Sequence, residues 1–462
     1  MLRSFINRKT ELEALNKAYR SSRAEFFIIY GRRRIGKTEL IKEFAKDKPH
    51  FYHLARRQSL TLEKEELSRR FAERFNIYLP AVNGFEATFK NILEKIPKTE
   101  KLIIIIDEFP YWVAEDENIL SEFQHLWDEL LQNSSIFLIL CGSYLSLMEE
   151  KVLGVKSPLY GRRTGQLKIE PLPVNTLKYF VPKYNLEEIV KVYGSLGGVP
   201  FYLKEVDDGL SFFENVRNTF LNKSNILNKE AEFLLREELR EINVYFNILR
   251  AITEGATTIS EIAAKSRVEV SNIHKYLAIL QGLALIKKIK PLNAPVKEKR
   301  YLYQIEDNYF RFWLRYIYPY QSELEEDPAL VMKIIEQSFS TYMGLIFEDF
   351  SQKILKLLPL KMTTVGLELG KWWCKDKEID IIGINRTEKE VIFVECKWKE
   401  KVKVEEIFRE LEEKSQFVEG LEKYSKKHYL VLAKSFERKP PMKKENEKFF
   451  YAFDLKDIEK AY

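Results

Sequence analysis

The chain has 462 residues, 45% of them hydrophobic and 31% charged, with 75 Lys and Arg against 69 Asp and Glu for a net charge of +6. That length suggests about three domains, and that composition excludes a disordered or fibrous chain. The mild basic excess permits a nucleic-acid partner without requiring one.

Cys141, Cys374 and Cys396 stand far apart, without metal-ligand or disulfide spacing. Their isolation fits a reducing cytoplasm. The start, MLRSFINRKTELEAL, is polar with a helical pattern and has no secretory apolar core. The longest apolar runs, LIIII (102–106) and IFLILC (136–141), are strand-sized and too short to span a bilayer. A cytoplasmic protein without membrane contact is expected.

EFFIIYGRRRIGKTELIKEFA (25–45) reads as a strand, a turn and an amphipathic helix. Within it, Gly31, Arg32, Arg33, Arg34, Ile35, Gly36, Lys37 and Thr38 match GxxxxGK[ST], with Glu39 following. Such a loop cradles phosphates with backbone N–H groups at a helix N-terminus. Lys37 would reach the β- and γ-phosphates of ATP, and Thr38 would supply a hydroxyl to Mg²⁺.

KLIIIIDEFPYW (101–112) is the apolar strand ending in acid that completes such a site. Asp107 would hold Mg²⁺ through water and Glu108 would polarise the attacking water. SIFLILCGS (135–143) ends in Ser143, placed either to sense the γ-phosphate or to cap a helix. Strands alternating with helices imply a three-layer α/β domain with ligands at the strand carboxyl ends. In PLYGRRTGQLKIEPLP (158–173), Arg162 and Arg163 are either catalytic arginines or solvated surface groups. SLGGVPFYL (195–203) sets Pro200 in a lid turn or a plain helix break.

FINRKTEL, GRRRIGKT, IIIIDEF, CGS, PLYGRRT and GGVP, in that order, resemble archaeal-type P-loop ATPases of the AAA-like, signal-transduction (STAND) class. The resemblance covers about residues 1–235. It implies that Asn7 and Arg8 lie near the adenine, that Glu108 is catalytic and that Pro200 contacts the base.

Residues 240–306 read as helix, helix, turn, helix and basic hairpin, the layout of a winged helix-turn-helix. Its last helix, about 270–282 and carrying Lys275, would enter the major groove. IKKIKPLNAPVKEKR (286–300) has six basic residues, among them Lys287, Lys288, Lys290 and Arg300, against Glu298 alone. These would grip DNA phosphate. A protein surface is the alternative target. IEDNYFRFWLRYIYPYQSEL is densely aromatic and reads as a hydrophobic bracket.

EIDIIGINRTEKEVIFVECKWKEKV (378–402) reads as two strands around a polar turn. If Ile384 pairs with Val391, Asp380 faces Glu395 and Glu378 faces Lys397, all four on one face. Ile379, Ile381, Ile392, Val394 and Cys396 would form the apolar face. Facing carboxylates repel unless a cation lies between them. A metal between Asp380 and Glu395, with Lys397 beside it, suits phosphodiester hydrolysis.

The pattern D-x14-E-C-K, after a helix bearing Glu348, resembles the PD-(D/E)XK nuclease fold. More closely, the tail resembles the C-terminal domain that accompanies archaeal ATPases of this kind. The resemblance makes Asp380 and Glu395 metal ligands and Lys397 the catalytic lysine. Ile379 stands where that pattern has Pro.

The expected order is thus a P-loop NTPase core (1–165) with a parallel sheet in a three-layer α/β domain, a helical lid (166–235), a winged helix-turn-helix (236–320) and a small α/β restriction-endonuclease-like domain (321–462). The reading is an ATPase that uses ATP and Mg²⁺, associates with DNA and controls a metal-dependent nuclease-like domain. An ATP-switched regulator with an inactive tail and an ATP-driven protein remodeller are the rivals. A homo-oligomer or a protein partner fits each of them.

Overall fold

The computed structural model describes residues 5–78, 84–95, 100–239, 241–294, 301–421 and 423–462. They form two compact units, one of residues 1–172 with 199–201 and the other of 173–198 with 202–462. The expected divisions near 235 and 320 both fall inside the second unit.

In the first unit, β1 (Glu25–Tyr30), β2 (His50–Leu54), β3 (Leu102–Asp107), β4 (Ile136–Gly142) and β5 (Gly165–Lys168) form a parallel sheet ordered β2-β3-β4-β1-β5. Every residue of β1, β3 and β4 is buried, because helices cover both faces of a parallel sheet. Phe26, Ile28, Ile104 and Leu138 feed one apolar cluster, and Ile29, Ile103, Phe137 and Ile139 feed the other. These two clusters make the three layers expected from the sequence.

The second unit holds the helices Ile242–Thr253, Ile259–Ser266 and Val270–Gly282, followed by an antiparallel hairpin of β6 (Ile286–Ile289) and β7 (Leu302–Ile305). Thr258 and Glu261 cap the middle helix reciprocally, as TTISE foreshadows. The aromatic segment becomes the helix Asn308–Tyr316, whose Tyr309, Phe310, Phe312 and Trp313 are fully buried. Trp313 Nε1 donates to Asn228 O at 2.7 Å, so its one polar atom is satisfied inside the core.

Beyond the 27-residue helix Pro328–Ile354 lies a mixed sheet of β8 (Glu368–Cys374), β9 (Lys377–Asn385), β10 (Glu390–Lys397), β11 (Lys426–Ala433), β12 (Lys443–Glu445) and β13 (Lys448–Asp454). Its order is β12-β13-β11-β10-β9-β8, with β10, β11 and β13 parallel. The β9–β10 hairpin adopts the anticipated register, Ile384 opposite Val391 and Ile381 opposite Val394.

One irregularity redirects the side chains. Gly370 pairs with Ile382 but Trp372 pairs with Ile379, so Lys371 alone faces both Asp380 and Ile381. This bulge reverses the alternation along β9. Ile379 therefore joins Ile382, Ile384, Val391 and Phe393 in one core cluster, which corrects the expected apolar face.

Candidate functional site

At the carboxyl end of the first sheet, the chain leaves β1 into a loop that only glycine permits at its first turn. A Cβ on Gly31 would lie 2.3 Å from Ile169 O. Gly36 has φ 91°, a left-handed conformation that starts the helix Lys37–Ala45. A Cβ there would meet Pro200 Cγ at 3.8 Å, and the Arg34 guanidinium lies 4.1 Å from the Phe201 ring centre. Pro200 thus stands beside the loop. Arg8 donates to Ile35 O at 3.1 Å and to Glu170 O at 2.6 Å, which ties it to the loop as well.

Lys37 is buried and donates to Gly31 O at 2.8 Å and Arg32 O at 2.9 Å. Burial pushes its pKa down. Those carbonyls hold the ammonium inside the loop, where a phosphate oxygen would compete for it. Thr38 Oγ1 and Tyr52 OH donate to the same oxygen of Asp107, at 2.8 and 2.7 Å. A hydroxyl and a carboxylate in contact form a hard oxygen pair suited to Mg²⁺.

Glu108 sits at φ 56°, a strained conformation for a residue with a side chain. Its carboxylate oxygens lie 2.9 and 2.7 Å from Ser143 Oγ, across from the neighbouring strand end. Ser143 precedes the helix that begins at Leu145 but makes its hydrogen bond to Glu108.

Other expected residues face elsewhere. Glu39 pairs with Lys42 on the helix surface. Arg162 binds Asp128 at 3.1 Å, and Arg163 donates to Leu153 O at 3.2 Å. Arg33 Nη2 donates to Tyr111 OH at 2.9 Å. Tyr52 and Tyr111 belong to no motif, so nothing in the sequence singles out either.

The second cluster lies in the other unit. Glu348, Glu378 and Asp380 can each offer an oxygen such that all three lie within 4.8 Å of one another. Lys371 closes the group, its ammonium 3.0 Å from Glu348 and ion-paired with Glu378. Burial opposes the charge on Lys371, but Glu348 and Glu378 outweigh it and raise its pKa. Asp380 accepts from the Cys396 backbone N–H at 2.8 Å. Burial, then Glu348 and Glu395, push the Asp380 carboxyl up to about 7.

Glu395, expected opposite Asp380, lies near enough to raise its pKa but is not among the three carboxylates that converge. Glu395 binds Lys397 at 2.8 Å and Lys414 at 3.2 Å, the latter from the helix Val404–Ser415. The β9–β10 ladder ends at Ile381 and Val394, before Glu378 and Lys397, and Glu378 pairs with Trp373 of β8. The bulge places Asp380 opposite Lys371, whose ammonium binds Glu348.

Of the expected DNA contacts, Lys287 pairs with Asp349 at 3.2 Å, so it does not stand free as a phosphate grip. Burial alone would raise the Asp349 pKa, yet Lys287, Lys353 and Arg311 hold it well below the usual range. The Lys288 ammonium lies 3.9 Å from the Tyr301 ring centre, and Lys275 and Lys290 are exposed. Arg300 lies outside the described residues.

A loop that cradles phosphate, a carboxylate beside its threonine and a parallel sheet together define a P-loop ATPase. A family model for an ATPase domain predominantly from Archaea matches residues 5–206. Another, for Archaea bacterial proteins of unknown function, matches residues 313–408. The chain is 38% identical over 446 residues to uncharacterized protein MJECL04 of Methanocaldococcus jannaschii, covering 94% of this chain and 97% of that one. It therefore belongs to the family of that protein, with an archaeal-type ATPase domain at the front. A stretch of 44 residues is 52% identical to the uncharacterized ATP-binding protein MJ0423 of the same organism, 10% of this chain and 75% of that one. The Walker-type ATPase PABY2304 of Pyrococcus abyssi has a similar fold, with a TM-score of 0.50 at 22% identity over 67% of this chain and 96% of that chain. Among the described residues, no helix is long and apolar enough to cross a membrane.

The Asp380 shift makes stability depend on pH. Its folded pKa of about 7 lies above the unfolded value of roughly 3.9, so folding favours the protonated form. No cost exists below about pH 4; it accrues as pH rises and is complete above about pH 7. Asp380→Asn should therefore stabilise the metal-free protein at pH 8 by about 1–3 kcal/mol and leave it unchanged at pH 4. Thermal unfolding at both pH values checks this, and an equal effect at both would contradict it.

Proposed function

We propose that the chain is an ATP-hydrolysing, DNA-associated protein whose ATPase controls a C-terminal, metal-dependent nuclease-like domain. The observation that carries the tail's part is the convergence of Glu348, Glu378 and Asp380 around one point, closed by a lysine.

In the ATPase, Thr38 and Asp107 would hold Mg²⁺, which when bound offsets the charge of the β- and γ-phosphates. Lys37 exchanges its two carbonyl partners for phosphate oxygens. Glu108 orients and polarises the attacking water once it leaves Ser143, which then senses the γ-phosphate. The backbone N–H groups of the loop from Gly31 to Glu39 surround the phosphates, and Pro200 borders the base. Arg162 or Arg163 contributes to charge stabilisation only after giving up Asp128 or Leu153 O, or by acting on a neighbouring subunit of an oligomer.

The three helices and the β6–β7 hairpin are read as a winged helix-turn-helix. Lys275 on its last helix and Lys288 and Lys290 on the wing are its DNA contacts. In the tail, Asp380 and Glu348 are the principal metal ligands, and Glu395 is close enough to shift the Asp380 pKa and join them. Lys397 positions or deprotonates water beside the ion. A regulator with an inactive tail is the second reading, favoured by the pairing of Glu395 with two lysines.

Lys37→Ala should weaken ATP binding by roughly 1.5–3 kcal/mol, the worth of charge-assisted contacts. Glu108→Gln should bind ATP yet fail to hydrolyse it. Steady-state hydrolysis with nucleotide-binding measurements reads both, and wild-type turnover by either variant removes its assigned role.

For the tail, calorimetric titration with Mn²⁺ should show a binding event that Asp380→Asn abolishes and Lys397→Ala retains. Lys397→Ala should nonetheless lose cleavage when incubated with varied DNAs and Mn²⁺. An Asp380→Asn titration identical to wild type would leave the regulator as the reading.

A further inference from the structure

The second unit contains a cavity of about 660 Å³ that borders the carboxylate cluster and extends well beyond it. The β6–β7 hairpin, the helices Asn308–Tyr316 and Pro328–Ile354, and β8 all contribute to its lining. Its volume falls within the roughly 300–1,000 Å³ of ordinary small-ligand pockets.

Two kinds of surface meet there. Leu292, Leu345 and Leu369 offer apolar area, and Leu345 is a large side chain left 56% exposed. Lys287, Lys290, Arg311, Arg315 and Lys371 face the same space with three carboxylates, Glu348, Asp349 and Asp380. The excess of cations matches a phosphate group. Lys287 and Lys371 are engaged by carboxylates, whereas Lys290 and Arg315 are exposed. A ligand joining a flat apolar body to a phosphate satisfies both surfaces, and nucleotides are that chemical class.

We propose that this cavity binds one nucleotide unit, either a free nucleotide or the end of a single strand. Its phosphate lies among Lys290, Arg311 and Arg315, and its base lies against Leu345 and Leu369. A cavity of this size takes one small-ligand unit. Glu348 and Asp380 border the same space, which deepens the tail reading by naming a single nucleotide unit as what these carboxylates face. The inference rests on that reading for the chemistry at the carboxylates, not for the binding itself.

The test uses the full chain in a Lys37→Ala background, which weakens nucleotide capture by the P-loop, and EDTA, which removes any metal. Fluorescence anisotropy follows a labelled, 5′-phosphorylated oligothymidylate, with thymidine monophosphate and an unlabelled duplex as competitors. The labelled single strand should bind and stay bound when excess unlabelled duplex without a 5′-phosphate occupies the winged helix. Leu345→Trp, which fills the cavity, and Arg315→Glu, on an exposed lining side chain outside the wing, should each weaken binding roughly ten-fold. Circular dichroism and melting temperature control for the fold of both variants. Tighter binding of the strand than of the monophosphate identifies a strand end; the reverse identifies a free nucleotide. Displacement of the strand by that duplex, no binding of either probe, or indifference to both variants would overturn the proposal. Because metal is absent, failure of the metal site leaves this result readable.

Discussion

Three carboxylates cannot gather at a half-buried strand end without a cation to offset their repulsion, and Lys371 is that cation. Its ammonium binds Glu348 and Glu378, while burial and the neighbouring carboxylates push the Asp380 carboxyl up to about 7. The arrangement depends on one extra residue in β9. Without the bulge, Asp380 would follow Ile382 and Ile384 into the apolar cluster, where a carboxylate has no partner. A residue inserted at Asp380–Ile381 thus turns a hydrophobic strand into the wall of a polar site.

The ATPase unit obeys the same constraint. Lys37 rests on two backbone carbonyls, Asp107 on two hydroxyls and Glu108 on Ser143. Each charged group that ATP and its metal would engage already has a protein partner. A buried charge left alone would cost several kcal/mol, so the metal-free, nucleotide-free fold needs these contacts. Ligand binding at either site is then an exchange of partners, and the affinity is the difference between two well-satisfied states.

The P-loop was legible because its signal is local: glycine spacing, a strand before it and a helix after it. The turn NRTEKE likewise fixed the register of Ile384 with Val391. What escaped the sequence was set by partners distant along the chain. The bulge depends on how β8 pairs with β9, and no alternation within 378–402 signals it. Lys287 looked like a phosphate contact because its partner, Asp349, is 62 residues away on another element. Arg162 looked available for the same reason, since Asp128 lies on a preceding helix. Glu378 was visible as a charge on a strand, but its link to Glu348 runs through Lys371, which sits in an unremarkable GKWW run.

Partner exchange at Lys371 is open to direct observation. Crystals grown with Mn²⁺, with diffraction recorded at the manganese absorption edge, locate the ion without reference to any DNA substrate. The expected result is an anomalous peak between Glu348 and Asp380, with the Lys371 side chain swung away from the carboxylates. A carboxylate cluster still closed on Lys371 and without anomalous signal would contradict a metal site in the tail.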